Sequence, residues 1–227
     1  MPAQGDWSFS LLVSRLHLVT DTRGARDPLP EVAGALQAGV DWVQVRAKGC
    51  SDRELFDLTV RVLEQARAYD ATVVVDDRAD VALAAGAHGV HLGAEDLPVR
   101  EVRRILGPGR LVGATAREPV AARAAVAAGA DYLGVGPAFG TVTKTGLPDP
   151  IGVEGVARTA NAVDVPVVAI GGVDRARLPD LLAAGVHGAA VVSAVSQAAD
   201  PAAAAAALLE TIRLATPVTS ADATGGA

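Results

Sequence analysis

The chain is poor in the residues on which secreted and nucleic-acid-binding folds rely. One cysteine, Cys50, stands among 227 residues. That excludes a disulfide framework or a four-cysteine zinc site within one chain, and it fits a reducing compartment. Aromatic residues make up 3%, too few for an evident base-stacking platform. No run of Lys or Arg occurs and the net charge is -6, so nucleic acid is not the expected partner. The longest stretch without charge, Leu181 to Ala199, is interrupted by Gly185, His187, Gly188, Ser193, Ser196 and Gln197. It reads as a helix end, a turn and a buried strand, not a membrane span. The opening MPAQGDWSFS lacks a basic segment followed by an apolar one. No signal peptide is expected, and a cytoplasmic setting is.

Apolar material is plentiful. Half of the residues are hydrophobic, and a mean hydropathy of +0.31 excludes disorder of the whole chain. A phrase recurs four times: AGVDWVQVR from Ala38, AGAHGVHLG from Ala85, AGADYLGVG from Ala128 and AGVHGAAVV from Ala184. Each follows an Ala-rich stretch and precedes an apolar run. Its glycine (Gly39, Gly86, Gly129, Gly185) suits the left-handed residue that ends a helix. The spacing leaves room for two strand-plus-helix units per repeat.

Filling those gaps predicts strands at 16–20, 41–46, 72–76, 88–92, 111–114, 131–135, 166–170 and 187–192. Most are short and apolar on both faces, as strands covered by helices are. Helices are predicted near 29–38, 51–69, 79–85, 98–106, 118–128, 152–161, 175–184 and 201–214. Ser51 before DREL resembles a capping box, and Pro98 and Pro201 sit near first-turn positions. Eight such units predict an α/β fold, a single-domain (β/α)8 TIM barrel over residues 11–215. Residues 1–10 are expected to form a loose arm and 216–227 a disordered tail. A doubly wound open sheet is the alternative; the count of eight and the fourfold repeat disfavour it.

In such a barrel the active site lies at the C-terminal ends of the strands. Polar residues collect there: Gln44, Arg46 and Lys48 after the second strand, Asp76 and Asp77 after the third, His91 and Asp96 around the end of the fourth. Thr115 follows the fifth, and Thr141, Thr143 and Lys144 the sixth. Gly171 and Gly172 follow the seventh and Ser193 the eighth. Arg46, Lys48 and Lys144 together suit a polyanion such as pyrophosphate. Asp77 and Asp96, on adjacent strands, suit magnesium shared with phosphate oxygens and water. The small residues after the last two strands suit a second phosphate, approached by bare backbone N–H groups. Each feature also has a plain reading. Strand-end cations are ordinary surface charges, aspartates cap helices, and His91 is as consistent with a hydrogen-bonded barrel interior. No Ser/His/Asp triad or HExxH motif is visible.

Six segments carry a resemblance: LVTD at Leu18, VQVRAKG at Val43, VDDRADVALAAGAHGVHLGAEDLP at Val75, DYLGVGPAFGTVTKTG at Asp131, PVVAIGGV at Pro166 and VVSAVSQAADP at Val191. Across about residues 16–201 the chain resembles the thiamine-phosphate synthase family. The resemblance implies a Mg2+-dependent transferase joining a hydroxymethylpyrimidine pyrophosphate to a thiazole phosphate, or its carboxylated form, by a dissociative displacement. The small-molecule substrates are the only partners it implies; a homo-oligomer stays open.

Carried over by position, the stretch Gln44, Val45, Arg46, Ala47 and Lys48 would hold the pyrimidine diphosphate, with Asp76 beside it. Thr115 would contact pyrophosphate, and Asp77 and Asp96 would bind magnesium. Thr141, Val142, Thr143, Gly172, Val192 and Ser193 would hold the thiazole phosphate. Arg46, Lys48 and Lys144 would act on the leaving group, and His91 would line the pyrimidine pocket. Three positions depart from the family: Asp76 stands for its usual Asn, Ala47 for a frequent Glu and Thr115 for a frequent Ser. Asp76 is expected either to become a further metal ligand or to cost activity, unless a neighbouring base such as Arg78 or its own protonation offsets its charge. The competing readings are a thiazole tautomerase-like isomerase and a weakly active thiamine-phosphate-binding barrel.

Overall fold

A computed structural model describes residues 13–141, 143 and 146–215. Its strands are β1 (Leu16–Val19), β2 (Trp42–Val45), β3 (Thr72–Asp76), β4 (Gly89–Leu92), β5 (Leu111–Ala116), β6 (Tyr132–Val135), β7 (Val167–Ile170) and β8 (Gly188–Val191). They pair in parallel in sequence order, and β8 returns to β1, which closes a barrel. Each predicted strand is present, with ends shifted by at most two residues. The expected arm (1–10) and tail (216–227) lie outside the described residues.

The helices are α1 (Leu29–Gln37), α2 (Asp52–Arg67), α3 (Ala79–Ala85), α4 (Val99–Leu106), α5 (Pro119–Ala127), α6 (Gly152–Ala160), α7 (Leu178–Ala183), α8 (Ser193–Ser196) and α9 (Pro201–Ala215). Ser51 and Glu54 form the expected capping box at the start of α2. The four repeat glycines all take positive φ, between 77° and 105°. The sequence reading missed α8, a single turn hidden in the apolar SAVS segment. No helix among the described residues is long and apolar enough to cross a membrane.

Two apolar layers hold the barrel. Val43, Val45, Val73 and Val75 join the core shared with helix residues such as Leu36, Val62 and Ala82. Trp42 and Val74 belong instead to a separate cluster with Val13, Leu111, Tyr132 and Val168. This alternation is the two-residue period of a strand. It puts Gln44 and Asp76 on the same side of their strands as Trp42 and Val74. It also turns Val45 to the opposite side from Gln44. That side chain is fully buried in the layer between sheet and helices, so only its backbone is available to a ligand.

Candidate active site

The strand ends bring the β2 and β3 residues together. Asp76 is the hub. Its Oδ1 accepts the Gln44 amide N–H at 2.8 Å. Its Oδ2 lies 3.4 Å from Arg46 Nε and 3.2 Å from Lys48 Nζ. Lys48 also pairs with Asp77. Arg78, expected as a neutralising base for Asp76, turns away to Asp52 and Asp80. The cations nearest in space come from the neighbouring strand, because parallel pairing sets Gln44 beside Val74 and Val45 beside Val75. Asp77 takes φ 63°, a left-handed conformation that Asp tolerates better than most residues. Ala47, Lys48, Cys50, Asp76 and Asp77 line a cleft at this point.

Thr20, past β1, holds the β2 end in place. Its hydroxyl accepts the Arg46 N–H at 2.8 Å and donates to the Arg46 carbonyl at 2.9 Å. This contact was invisible in sequence, since the partners are 26 residues apart.

Asp96 accepts the Gly93 N–H at 2.6 Å, which turns the loop after β4 back on itself. Among the described residues no three His, Cys, Asp or Glu side chains gather into a ready metal site. Asp77 and Asp96 are nonetheless hard oxygen donors past adjacent strands. Magnesium commonly binds through one or two carboxylates with substrate phosphate and water, and this donor set fits such an ion.

His91 is buried within β4. One ring nitrogen, Nδ1, lies 3.1 Å from the Tyr132 hydroxyl, and the other, Nε2, 3.1 Å from Thr115 Oγ1. His17 and Trp42 stack below at 4.3 Å between ring centroids. Burial pushes the His17 imidazole down to about 3, so it is neutral near pH 7.

The β6–β8 side is built differently. The Ala138 N–H donates to Ile170 O at 2.8 Å and the Phe139 N–H to Gly171 O at 2.9 Å. The loops after β6 and β7 are thus zipped together. Gly172 has φ 65°, and a Cβ there would overlap the Gly140 carbonyl. The Thr141 hydroxyl donates to Thr143 Oγ1 at 3.1 Å and accepts the Thr143 N–H at 3.2 Å. Val192 and Ser193 are half-buried at the start of α8. Val142 and Lys144 lie outside the described residues.

A second cluster backs this side. The Ser196 hydroxyl donates to Asp21 Oδ2 at 3.1 Å, and Arg26 donates to the Ser196 carbonyl at 2.5 Å. Glu31 Oε1 accepts the Asp21 N–H at 3.2 Å. Hydrogen bonds from Arg23 hold the Asp21 carboxyl down at about 2. Burial pushes the Glu31 carboxyl up to about 7.

The fold and its mouth define a (β/α)8 barrel with clustered cations on one side and crowded small residues on the other. Comparisons with known proteins place it further. The family model for thiamine monophosphate synthase matches residues 16–195. A thiamine-phosphate synthase of Salinispora tropica is 53% identical over 203 residues, covering 88% of this chain and 98% of the relative. Another, from Moorella thermoacetica, is 43% identical over 199 residues, covering 87% and 95%. The solved thiamine phosphate pyrophosphorylase of Pyrococcus furiosus superposes with a TM-score of 0.83 at 36% identity, over 92% of this chain and 99% of that one. The chain belongs to the thiamine monophosphate synthase family.

Proposed function

We propose that the barrel mouth makes thiamine phosphate, as the relatives' names indicate for them. The methylene carbon of a hydroxymethylpyrimidine pyrophosphate loses its bond to the diphosphate oxygen, and the thiazole nitrogen of a thiazole phosphate bonds to that carbon. The observation that carries this reading is the meeting of Gln44, Arg46 and Lys48 on one carboxylate, Asp76. Three donors converging on a single anion support a diphosphate as the ligand of this side.

The leaving diphosphate gains negative charge as the C–O bond breaks. Arg46, Lys48 and Lys144 therefore attract it more strongly in the transition state than in the ground state. Thr115 donates to the same group. Thr141, Val142, Thr143, Gly172, Val192 and Ser193 hold the phosphate of the second substrate, whose charge does not change. Asp77 and Asp96 would hold Mg2+, which supplies further positive charge to the diphosphate when bound. For Asp77 this requires Lys48 to turn from it to the substrate. His91 lines the pyrimidine pocket. A cytoplasmic setting agrees with substrates whose charge keeps them from crossing membranes unaided.

The test mixes both substrates with Mg2+ and follows thiamine phosphate and pyrophosphate by chromatography. Equal amounts of the two products are expected. Rearrangement of a thiazole substrate without coupling would indicate a tautomerase. Tight binding of thiamine phosphate without turnover would indicate a binding barrel.

A further inference from the structure

Two strand glycines make room for two rings. A Cβ on Gly113, in β5, would run into the Tyr132 phenol, and one on Gly134, in β6, would press on the His91 imidazole at 3.0 Å. Glycine inside a strand weakens it and marks a close approach. Both glycines sit in register beside members of one chain of groups: Gly113 pairs with Tyr132 and His91, and Gly134 with Thr115. The chain is Tyr132 Oη, His91 Nδ1, His91 Nε2 and Thr115 Oγ1, with 3.1 Å at each junction.

Hydrogen-bond polarity follows from burial. Tyr132 is 1% exposed, and burial pushes its phenol up, so the O–H keeps its proton. A buried O–H needs an acceptor, and His91 Nδ1 is the one in reach. A neutral imidazole that accepts at Nδ1 carries its proton on Nε2. Nε2–H then donates to Thr115 Oγ1. The Thr115 oxygen is thereby an acceptor from below, and its own proton is left for a ligand above. With the opposite tautomer, Thr115 would donate down to Nε2 and offer only lone pairs to an anion.

We propose that Tyr132 and His91 form a tautomer-setting relay that turns the Thr115 hydroxyl into a hydrogen-bond donor for the diphosphate. This rests on the contact assigned to Thr115 under the proposed function. Tyr132 and His91 are positioning residues with respect to the diphosphate; of the three, only Thr115 touches it.

The experiment has two arms on the full chain. The first labels the four histidines with 15N and reads the ring nitrogens by NMR, His91 being assigned by the signal lost in His91→Gln. A proton on Nε2 is expected, and Tyr132→Phe should add a population protonated on Nδ1. The second titrates inorganic pyrophosphate with Mg2+ by calorimetry. Thr115→Val, which keeps the shape, should weaken binding about ten- to a hundredfold, the loss of one hydrogen bond to a charged group. Tyr132→Phe should weaken it about fivefold, and less than about twofold when added to Thr115→Val. Thiazole phosphate affinity should stay unchanged in Tyr132→Phe. A wild-type His91 protonated on Nδ1, or on both nitrogens, overturns the relay. Unchanged pyrophosphate binding in Thr115→Val overturns the ligand assignment and the proposal with it. Equal effects of Tyr132→Phe in both backgrounds reduce it to packing.

Discussion

The two sides of the barrel mouth handle anions by different means. On the β2–β3 side the groups are long charged side chains. Arg46 and Lys48 face Asp76, and Lys48 also faces Asp77. On the β6–β8 side the described site residues are hydroxyls, glycines and backbone, held by loop-to-loop hydrogen bonds. Under the proposed function the difference follows the chemistry. A diphosphate that gains charge on leaving calls for full charges, and Asp76 and Asp77 balance those charges within the protein. A phosphate whose charge stays constant needs only shape and N–H groups.

The largest expected effect falls on the charged side. Lys48→Ala should lower kcat by about a hundred- to a thousandfold, the cost of one charge-stabilising donor, with little change in KM for the thiazole phosphate. Steady-state kinetics with each substrate varied will separate the two. Lys144→Ala should do the same if it acts on the leaving group; a rise in KM alone would move it to simple binding.

Asp96→Ala should remove the response of the rate to added Mg2+ while leaving the circular dichroism spectrum intact, because the residue lies past the end of β4, outside the apolar clusters. Full activity of that variant in excess chelator would end the assignment.

The other side should break through its backbone. Gly172→Ala introduces a Cβ at φ 65° against the Gly140 carbonyl. Strain of about 1–3 kcal/mol should raise KM for the thiazole phosphate about tenfold and spare pyrophosphate binding. Equal damage to both ligands would erase the distinction between the sides.

Asp76→Asn sharpens the comparison from the charged side. It keeps the shape and frees Arg46 and Lys48 from a carboxylate. Pyrimidine diphosphate should then bind several-fold more tightly, within the range of about 1 kcal/mol that partly exposed ion pairs contribute. A higher Mg2+ requirement instead would make Asp76 a metal ligand, although the structure engages both its oxygens with Gln44, Arg46 and Lys48.

Glu31, behind the β8 side, gives the pH signature. Its carboxyl is raised from 4.5 to about 7 by burial, so the folded state binds its proton more tightly than the unfolded one. That contribution is complete below about pH 4.5 and is lost as pH rises through about 7. Glu31→Gln should therefore stabilise the protein at pH 8, by about 3 kcal/mol at most, and change little at pH 4.5. Thermal unfolding at the two pH values will show it. Asp21 has the opposite sign: its low carboxyl contributes above pH 3.8 and loses that contribution as pH falls through about 2.

The architecture was legible from residue pattern. Apolar runs, capping residues and four repeat glycines are local features, and local sterics decide them. They located all eight strands and the helices between them, and the strand-end rule pointed to the mouth. What stayed hidden was partner choice across the barrel. Asp76 neighbours Arg78 in sequence, yet its cations come from β2. Val45 sits between two polar residues, yet the strand's period turns it outward into the core. Thr20, Asp21, Tyr132 and Ser196 lie inside the segments that carry the resemblance, yet nothing local marked which groups they would meet. Strand register and barrel closure bring such groups together from 10 to 175 residues apart. Hydrogen bonds and ion pairs act over a few ångströms in space, so only the closed tertiary structure decides which polar groups meet.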